Sequence, residues 1–190
     1  MKRFALLTVL VTLFIAAPAK QTNAQSNLRI TGTVVGISGR LAGRTLPFTL
    51  IVNRYSSSGE VSELTQSLQQ GEDAMLSSLR RMSVGRIQIG TGVGVPVNAI
   101  IAEPWENGTR VRVLYERNIS FYELRYGTRS SDYRFGYAEL FLDRSGKGEG
   151  TLIPAARVRL TGGNTWEVED FGVYPARLMG LRSNGRVTPR

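Results

Sequence analysis

The sequence lacks two residues that carry much of enzyme chemistry, because it contains no cysteine and no histidine. Without them the common zinc and copper sites cannot form, and neither can a Ser-His or Cys-His nucleophile pair. The chain must also fold on its apolar core, with no disulfide to stabilise it. We therefore expect no metal site and no cofactor, and we favour a protein without catalytic activity.

Lysine is scarce. Beyond residue 24, Lys147 stands alone against 20 arginines. An arginine bias fits the recognition of phosphate or carboxylate groups, which the guanidinium fork pairs with bidentately. Codon usage produces the same bias, and it is favoured here because the arginines are spread along the chain rather than clustered.

The N-terminus has the pattern of a secretory signal peptide. Lys2 and Arg3 precede an apolar run from Phe4 to Ala17, and small residues follow it. We expect cleavage after Ala24, with Ala19 as the alternative site. The alternative interpretation is an uncleaved anchor, although the run is short for a bilayer span, which needs about 20 apolar residues. No cysteine follows the run, which excludes a bacterial lipoprotein anchor, and no later segment is apolar enough to span a membrane.

If the N-terminus is a cleavable signal peptide, the protein is exported, and the remaining chain has the length of a single domain. We expect a secreted or periplasmic protein with a signal peptide at 1–24, one β-rich domain at 25–183 and a disordered tail at 184–190. Removal of the signal leaves 166 residues, enough for one good core, and lowers the formal net charge from +9 to +6.

The pattern of apolar residues predicts mostly short strands. Alternation is clearest in TRVRVLYER, where Val111, Val113 and Tyr115 share one face. The Asn107-Gly108 pair predicts a tight turn before it. Further strands are expected at 28–37, 45–53, 84–89, 98–102, 120–125, 133–142, 151–160, 165–171 and 174–181.

One region has helical spacing instead. Apolar residues recur every three or four positions between Glu60 and Met82, which predicts one amphipathic helix or two short ones broken near Gly71. About nine or ten short strands with turns every ten residues favour a mainly β (α+β) fold. We predict an antiparallel sandwich or barrel with a helical insertion at about residues 60–82.

Several short motifs in the sequence do not establish a catalytic or binding site. The stretch from Gly90 to Gly94 is followed by Val95-Pro96 and a strand, so it matches neither a dinucleotide fingerprint nor a P-loop. Lys147 lies in a solvated glycine-rich loop, which does not suit a catalytic lysine. No loop has the spacing of an EF-hand calcium site. The sequons at Asn107 and Asn118 matter only in a eukaryotic secretory pathway.

Paired carboxylates are the remaining route to catalysis. Glu167 and Glu169 share one face of a strand, roughly 6.6–6.8 Å apart, which lies within the range that glycosidases use. Any solvated strand shows this spacing, so cross-strand pairing with Arg157 or Arg159 is the favoured interpretation.

A loop rich in arginine and tyrosine is the candidate ligand site. The stretch RYGTRSSDYRFG connects two predicted strands, and its side chains would form a mouth for an anionic or sugar ligand. The residues concerned are Arg125, Tyr126, Arg129, Tyr133 and Arg134. The favoured interpretation is nevertheless that the aromatic residues close one end of the core while the arginines are solvated, because aromatic residues at strand ends commonly do so.

Arginines on other strands would extend a basic face if those strands are neighbours. They are Arg110, Arg112, Arg157 and Arg159. Glutamates interspersed on the same strands argue against a nucleic-acid footprint, and so does export.

The sequence therefore predicts an exported, non-catalytic, β-rich domain that binds a small anionic or sugar ligand or associates with an envelope protein. It predicts no nucleic-acid partner and no membrane span after signal removal. The alternatives are a carboxylate-based hydrolase acting on carbohydrate or polymer, and a structural subunit that pairs through a strand edge.

Overall fold

The computed structural model describes residues 27–37, 42–118, 132–162, 165–170 and 175–188. These residues form ten strands and two helices. The strands are β1 (Leu28–Val35), β2 (Thr45–Val52), β3 (Gly85–Ile89), β4 (Val95–Val97), β5 (Ala99–Trp105), β6 (Gly108–Glu116), β7 (Phe135–Asp143), β8 (Lys147–Thr161), β9 (Thr165–Asp170) and β10 (Ala176–Ser183). The signal-peptide segment, the strand expected at 120–125 and three of the five candidate ligand residues lie outside the described residues.

All strands belong to one antiparallel sheet that is nearly closed into a barrel. Its order is β4-β3-β2-β1-β10-β8-β7-β6-β5, with β9 paired to β8 outside this path. The two ends of the path, β4 and β5, are separated along the chain by Asn98 alone. The backbone N–H of Asn98 donates to Leu114 O of β6 at 3.1 Å. The mainly β fold and the barrel alternative are therefore confirmed.

The barrel interior is filled by the inward-facing residues that alternate along each strand of the path. Phe48, Leu50, Leu140 and Leu152 are fully buried there, and Tyr115 lies among them. Tyr115 fits because Gly136 stands opposite it, where a Cβ would lie 2.1 Å from the tyrosine Cζ. Burial raises the pKa of Tyr115 to about 12. This packing agrees with the size of a barrel of about eight strands, whose interior side chains can fill.

The two helices are α1 (Ser58–Gln69) and α2 (Glu72–Leu79). The predicted break occurs at Gly71, whose φ of 121° suits glycine. A capping box starts α1: Glu60 N donates to the Ser57 hydroxyl and Ser57 N donates to the Glu60 carboxylate. The Arg54 guanidinium and these local donors lower the pKa of Glu60 to about 2.

The helices cover part of the outer wall of the barrel. Leu64, Leu76 and Leu79 pack in a second apolar cluster with outward-facing residues of β5 to β9, including Leu114 and Val158. Trp166 of β9 donates from Nε1 to the Thr65 hydroxyl at 3.0 Å, which ties β9 to α1. The part of the chain that the structure describes contains no helix with the length and apolar character of a membrane span.

The β5–β6 turn differs from the one that the sequence predicts. Its central residues are Glu106 and Asn107, one position before the Asn107-Gly108 pair. Gly108 is the first residue of β6, where a Cβ would lie 2.0 Å from Leu142 O. Close approach of β7 therefore places this glycine in the strand, and the turn forms before it.

The segment predicted as a disordered tail begins at residue 184. In the structure Asn184 exchanges hydrogen bonds with Arg29 of β1, at 2.8 Å and 3.0 Å. Val187 is buried, and its carbonyl accepts from the Thr109 hydroxyl at 3.2 Å. The chain as far as residue 188 thus lies against one end of the barrel.

Candidate functional site

Two of the five candidate ligand residues are described, Tyr133 and Arg134, which directly precede β7. Arg117 N donates to Arg134 O at 2.9 Å, and Arg117 Nε donates to Tyr133 O at 2.8 Å. The backbone contact between Arg117 and Arg134 extends the β6–β7 ladder past the end of each strand. The other predicted residues, Arg125, Tyr126 and Arg129, lie outside the described residues.

Tyr133 belongs to a contact between strands. Its hydroxyl donates to Glu169 Oε1 at 3.0 Å, and the Arg157 guanidinium lies 5.3 Å from the centre of its ring. Both partners come from the β8–β9 hairpin. The structure therefore does not bring Tyr133 and Arg134 together as two walls of one ligand mouth.

Arg134 lines an open cleft of about 550 Å³ at one end of the barrel. The cleft lies between the C-terminal end of α2, strand β4, the end of β6 and the residues before β7. Its lining residues are Arg80, Val95, Pro96, Asn98, Glu116, Arg117, Asn118 and Arg134.

Asn98 anchors this cleft to the fold. It is buried, and its Nδ2 donates to Leu79 O at 3.1 Å and to Met82 O at 3.0 Å. Its Oδ1 accepts from Glu116 N at 3.0 Å. One amide side chain therefore joins the end of α2 to β6 at the point where the sheet closes.

The three arginines reach the cleft from separate elements and are held by different partners. Arg80 follows α2 and forms a fork with Glu116, in which Nη2 donates to Oε1 at 2.6 Å and Nε to Oε2 at 3.0 Å. This contact raises the pKa of Arg80 above its ordinary value. Arg134 pairs with the exposed carboxylate of Asp73 on α2, and Arg117 donates to the backbone before β7.

Among the described residues, the lining contains three guanidinium groups and one carboxylate, that of Glu116, and the Asp73 carboxylate pairs with Arg134 beside it. Arginine donates in a planar fork that matches carboxylate and phosphate oxygens. Val95 and Pro96 supply an apolar side to the same space. The arrangement can therefore bind a small organic anion through charge-assisted hydrogen bonds.

The carboxylates considered for hydrolysis lie elsewhere, and arginine engages one of them. Arg159 Nη2 lies 3.0 Å from Glu169 Oε2, which confirms the expected cross-strand pairing. Glu167 stands directly opposite Arg159 in the β8–β9 register. Arg157 turns to α2 instead, where its Nε lies 2.9 Å from Glu72. Burial nevertheless raises the pKa of Glu72.

Arg110 and Arg112 lie on the outer face of β6, as the alternation predicts, and Glu103 lies between them. Arg110 Nη2 donates to Glu103 at 2.7 Å, and Arg110 Nη1 lies 3.8 Å from Glu139 of β7. Arg112 pairs with the same glutamate. Strand β7 separates β6 from β8, so these arginines form no continuous row with Arg157 and Arg159.

Sequence reasoning missed most of the residues that line the cleft. The helical spacing places Arg80 near the end of the predicted helix, and the alternation places Glu116 on the face opposite Val113 and Tyr115. Neither pattern gives Asn98 a role. The sequence contains a signal for Asn98 alone, because a polar residue stands there between apolar stretches that face the core. Arg80 and Glu116 are 36 positions apart, so their contact follows from tertiary packing.

The fold and the cleft define a class: a mainly antiparallel β protein, nearly closed into a barrel, with a helical hairpin on its outer wall and an arginine-lined cleft at one end. No protein-family model, curated protein or solved structure matches the chain.

Proposed function

We propose that this protein is an exported, non-catalytic binding domain that takes a small organic anion, bearing a carboxylate or phosphate group, in the arginine-lined cleft. The observation that supports it best is the convergence of Arg80, Arg117 and Arg134 on one open cleft from three separate elements. The barrel interior is packed with fully buried apolar side chains, so the cleft rather than the interior is the favoured ligand site.

The hydrolase alternative has less support. General acid catalysis needs a protonated carboxylic acid facing the substrate. Glu116 lines the cleft but is engaged by the Arg80 fork. Glu169 is engaged by Arg159 and Tyr133.

The strand-edge alternative has less support as well. Ile100 of β5 exchanges hydrogen bonds with Ser56, so its backbone groups point away from β6. By the alternation of an antiparallel ladder, Ala102 and Pro104 point to the same edge. Pro104 has no N–H to offer an added strand.

Substitution of Arg80 by glutamine tests the proposed binding site. Arg81→Gln is the matched control, because Arg81 is adjacent, is exposed and also pairs with one glutamate, Glu63, but does not line the cleft. The probes are inorganic phosphate, citrate and glucuronate, measured by the shift that each produces in the thermal unfolding midpoint.

We expect at least one probe to raise the midpoint of the unaltered protein and of Arg81→Gln, and to have much less effect on Arg80→Gln. Native mass spectrometry of the protein isolated from its own cells would then show a bound small anion. If the three probes leave the midpoint unchanged, or if both variants lose the response equally, the cleft is not an anion site.

A further inference from the structure

One half of the barrel wall is not covered by the helices. The apolar cluster beneath α1 and α2 contains no residue of β1, β2, β3 or β10. We call the outward-facing side chains of these four strands, together with those of the first half of β8, the helix-free wall. In strand order its outward residues are Lys147, Glu149, Thr151, Arg177, Met179, Arg182, Arg29, Thr31, Thr33, Val35, Thr45, Pro47, Thr49, Ile51, Arg86 and Gln88.

Strand register aligns these side chains in rows around the barrel. Lys147 pairs with Arg182, Arg182 with Thr31, Thr31 with Thr49 and Thr49 with Gln88. This single row therefore crosses five strands, and threonine hydroxyls lie next to the cations.

Two parallel rows carry further arginines. In one, Thr151 pairs with Arg177. In the other, Arg29 pairs with Ile51 and Ile51 with Arg86. From strand spacing and rise, the basic positions spread over roughly 19 Å around the barrel and about 16 Å along β10.

The charge of this wall is not balanced by its neighbours. Each recorded ion pair in the described ranges joins residues of the helices, of β5 to β9, or of the segments beside them, and none involves Arg29, Arg177 or Arg182. Glu149 is the acidic residue among the outward positions. Among the described residues, the net positive charge is therefore concentrated on the half of the barrel away from the helices.

The side chains of the helix-free wall favour an acidic polysaccharide over nucleic acid or a membrane surface. Binding to single-stranded nucleic acid uses aromatic stacking platforms, and the outward positions named above include no aromatic residue. A convex wall of strands does not enter a DNA groove. Binding to a membrane surface needs a broad apolar face, whereas Met179 is the large hydrophobic residue that the wall exposes, at 47 %. A flexible acidic sugar chain carries acidic groups, which pair with guanidinium groups, and hydroxyl groups, which bond to threonine hydroxyls, and the wall presents both kinds of partner.

We propose that the helix-free wall binds a linear acidic polysaccharide, whose acidic groups pair with Arg29, Arg177 and Arg182 while its hydroxyl groups bond to the intervening threonines. This surface is separate from the arginine-lined cleft, and neither proposal depends on the other.

The experiment measures binding of fluorescein-labelled heparin by fluorescence anisotropy over a series of sodium chloride concentrations. The test variant is Arg177→Gln with Arg182→Gln. The matched control is Arg81→Gln with Arg159→Gln, which removes the same charge from exposed, ion-paired arginines outside the wall. A second test variant, Met179→Glu, places a negative charge between Arg177 and Arg182.

We expect the test variants to bind heparin about tenfold more weakly. For the double variant, the plot of log affinity against log salt should also become shallower by roughly one to two units, because two fewer counterions are released. The control should stay within about twofold of the unaltered protein.

An equal loss in both double variants would show that net charge alone is responsible. Absence of heparin binding, or tighter wall-dependent binding to DNA or to vesicles of anionic lipid, would overturn the proposal. The phosphate, citrate and glucuronate assay, run in parallel, reports on the cleft independently.

Discussion

At the scale of single residues, a local contact explains why Glu106 has a backbone conformation that is uncommon for a residue other than glycine. Glu106 has a φ of 40°, the one positive value among the non-glycine residues described. Side chains other than glycine are strained in this region. The close approach of Leu142 O to Gly108 holds the glycine in β6, so a glutamate takes the position in the turn that glycine favours.

Replacement of this residue is the first prediction. We expect Glu106→Gly to raise the free energy of unfolding by about 0.5–1 kcal/mol, because glycine adopts a positive φ without strain. Glu106→Ala is the control at the same position, since it removes the carboxylate but keeps the Cβ, and it should give no gain. Urea denaturation of the three proteins measures the difference. A gain of the same size in Glu106→Ala would mean that the side chain, and not the backbone, is responsible.

At the scale of elements, the helical hairpin and the barrel are joined through a small number of polar contacts at the cleft. Asn98 bridges the end of α2 and β6. Arg80, one residue beyond α2, holds Glu116 at the end of β6. The apolar packing of Leu64 and Leu79 holds the hairpin against the wall, while these polar groups set its position along the wall. The geometry of the cleft therefore depends on how the helices dock.

The second prediction concerns Asn98→Asp, which is nearly isosteric. The carboxylate can still accept from Glu116 N, but it cannot donate to Leu79 O and Met82 O, and its charge is buried. We expect the free energy of unfolding to fall by about 2–4 kcal/mol, since a buried carbonyl without a donor and a buried unpaired charge are both costly.

Asn107→Asp makes the same chemical change in the exposed β5–β6 turn and should stay within about 0.5 kcal/mol of the unaltered protein. Guanidinium chloride denaturation measures both variants. Equal effects at the two positions would show that the contacts of Asn98 with the helix end do not contribute to stability.

At the scale of the whole molecule, two apolar clusters share one sheet. The first fills the barrel, and the second lies between its outer wall and the helices. The pairing of β1 with β10 joins distant parts of the chain, so the barrel forms as one unit. The helices add a layer on one side, and the other side keeps its side chains in solvent. This asymmetry leaves Arg29, Arg177 and Arg182, which form no ion pair in the described part of the chain, on the half of the barrel that we propose as a polysaccharide surface.

The third prediction compares truncations in the two clusters. Leu50 and Leu64 are both fully buried, so either leucine-to-alanine change should cost about 2–5 kcal/mol. In native-state hydrogen exchange, we expect Leu50→Ala to reduce the protection of the most stable barrel amides. Leu64→Ala should reduce protection in α1 and α2 while the amides of β1 and β2 keep theirs. A uniform loss across the molecule in Leu64→Ala would show that the hairpin does not open separately from the barrel.

Local patterns predicted the elements well because periodicity depends on which face of each element is buried. Apolar residues that recur every three or four positions, among them Leu64 and Leu79, predicted helices with a break at Gly71. The alternation of Val111, Val113 and Tyr115 predicted β6. The β4 strand was missed because three residues are too few to show alternation. The cleft was missed because Arg80, Asn98 and Glu116 are far apart in the chain, and none of them departs from what an ordinary helix end or strand would contain.

The amino-acid sequence by itself determined the antiparallel β architecture, the position of the helical insertion and the absence of cysteine and histidine chemistry, because each of these depends on composition or on short-range spacing. The tertiary structure decided whether the sheet forms a sandwich or a barrel, that the helices cover the outer wall, and which arginines meet carboxylates and which face solvent. These outcomes depend on strand order and on packing between residues that are distant in the chain, and short-range spacing carries no information about either.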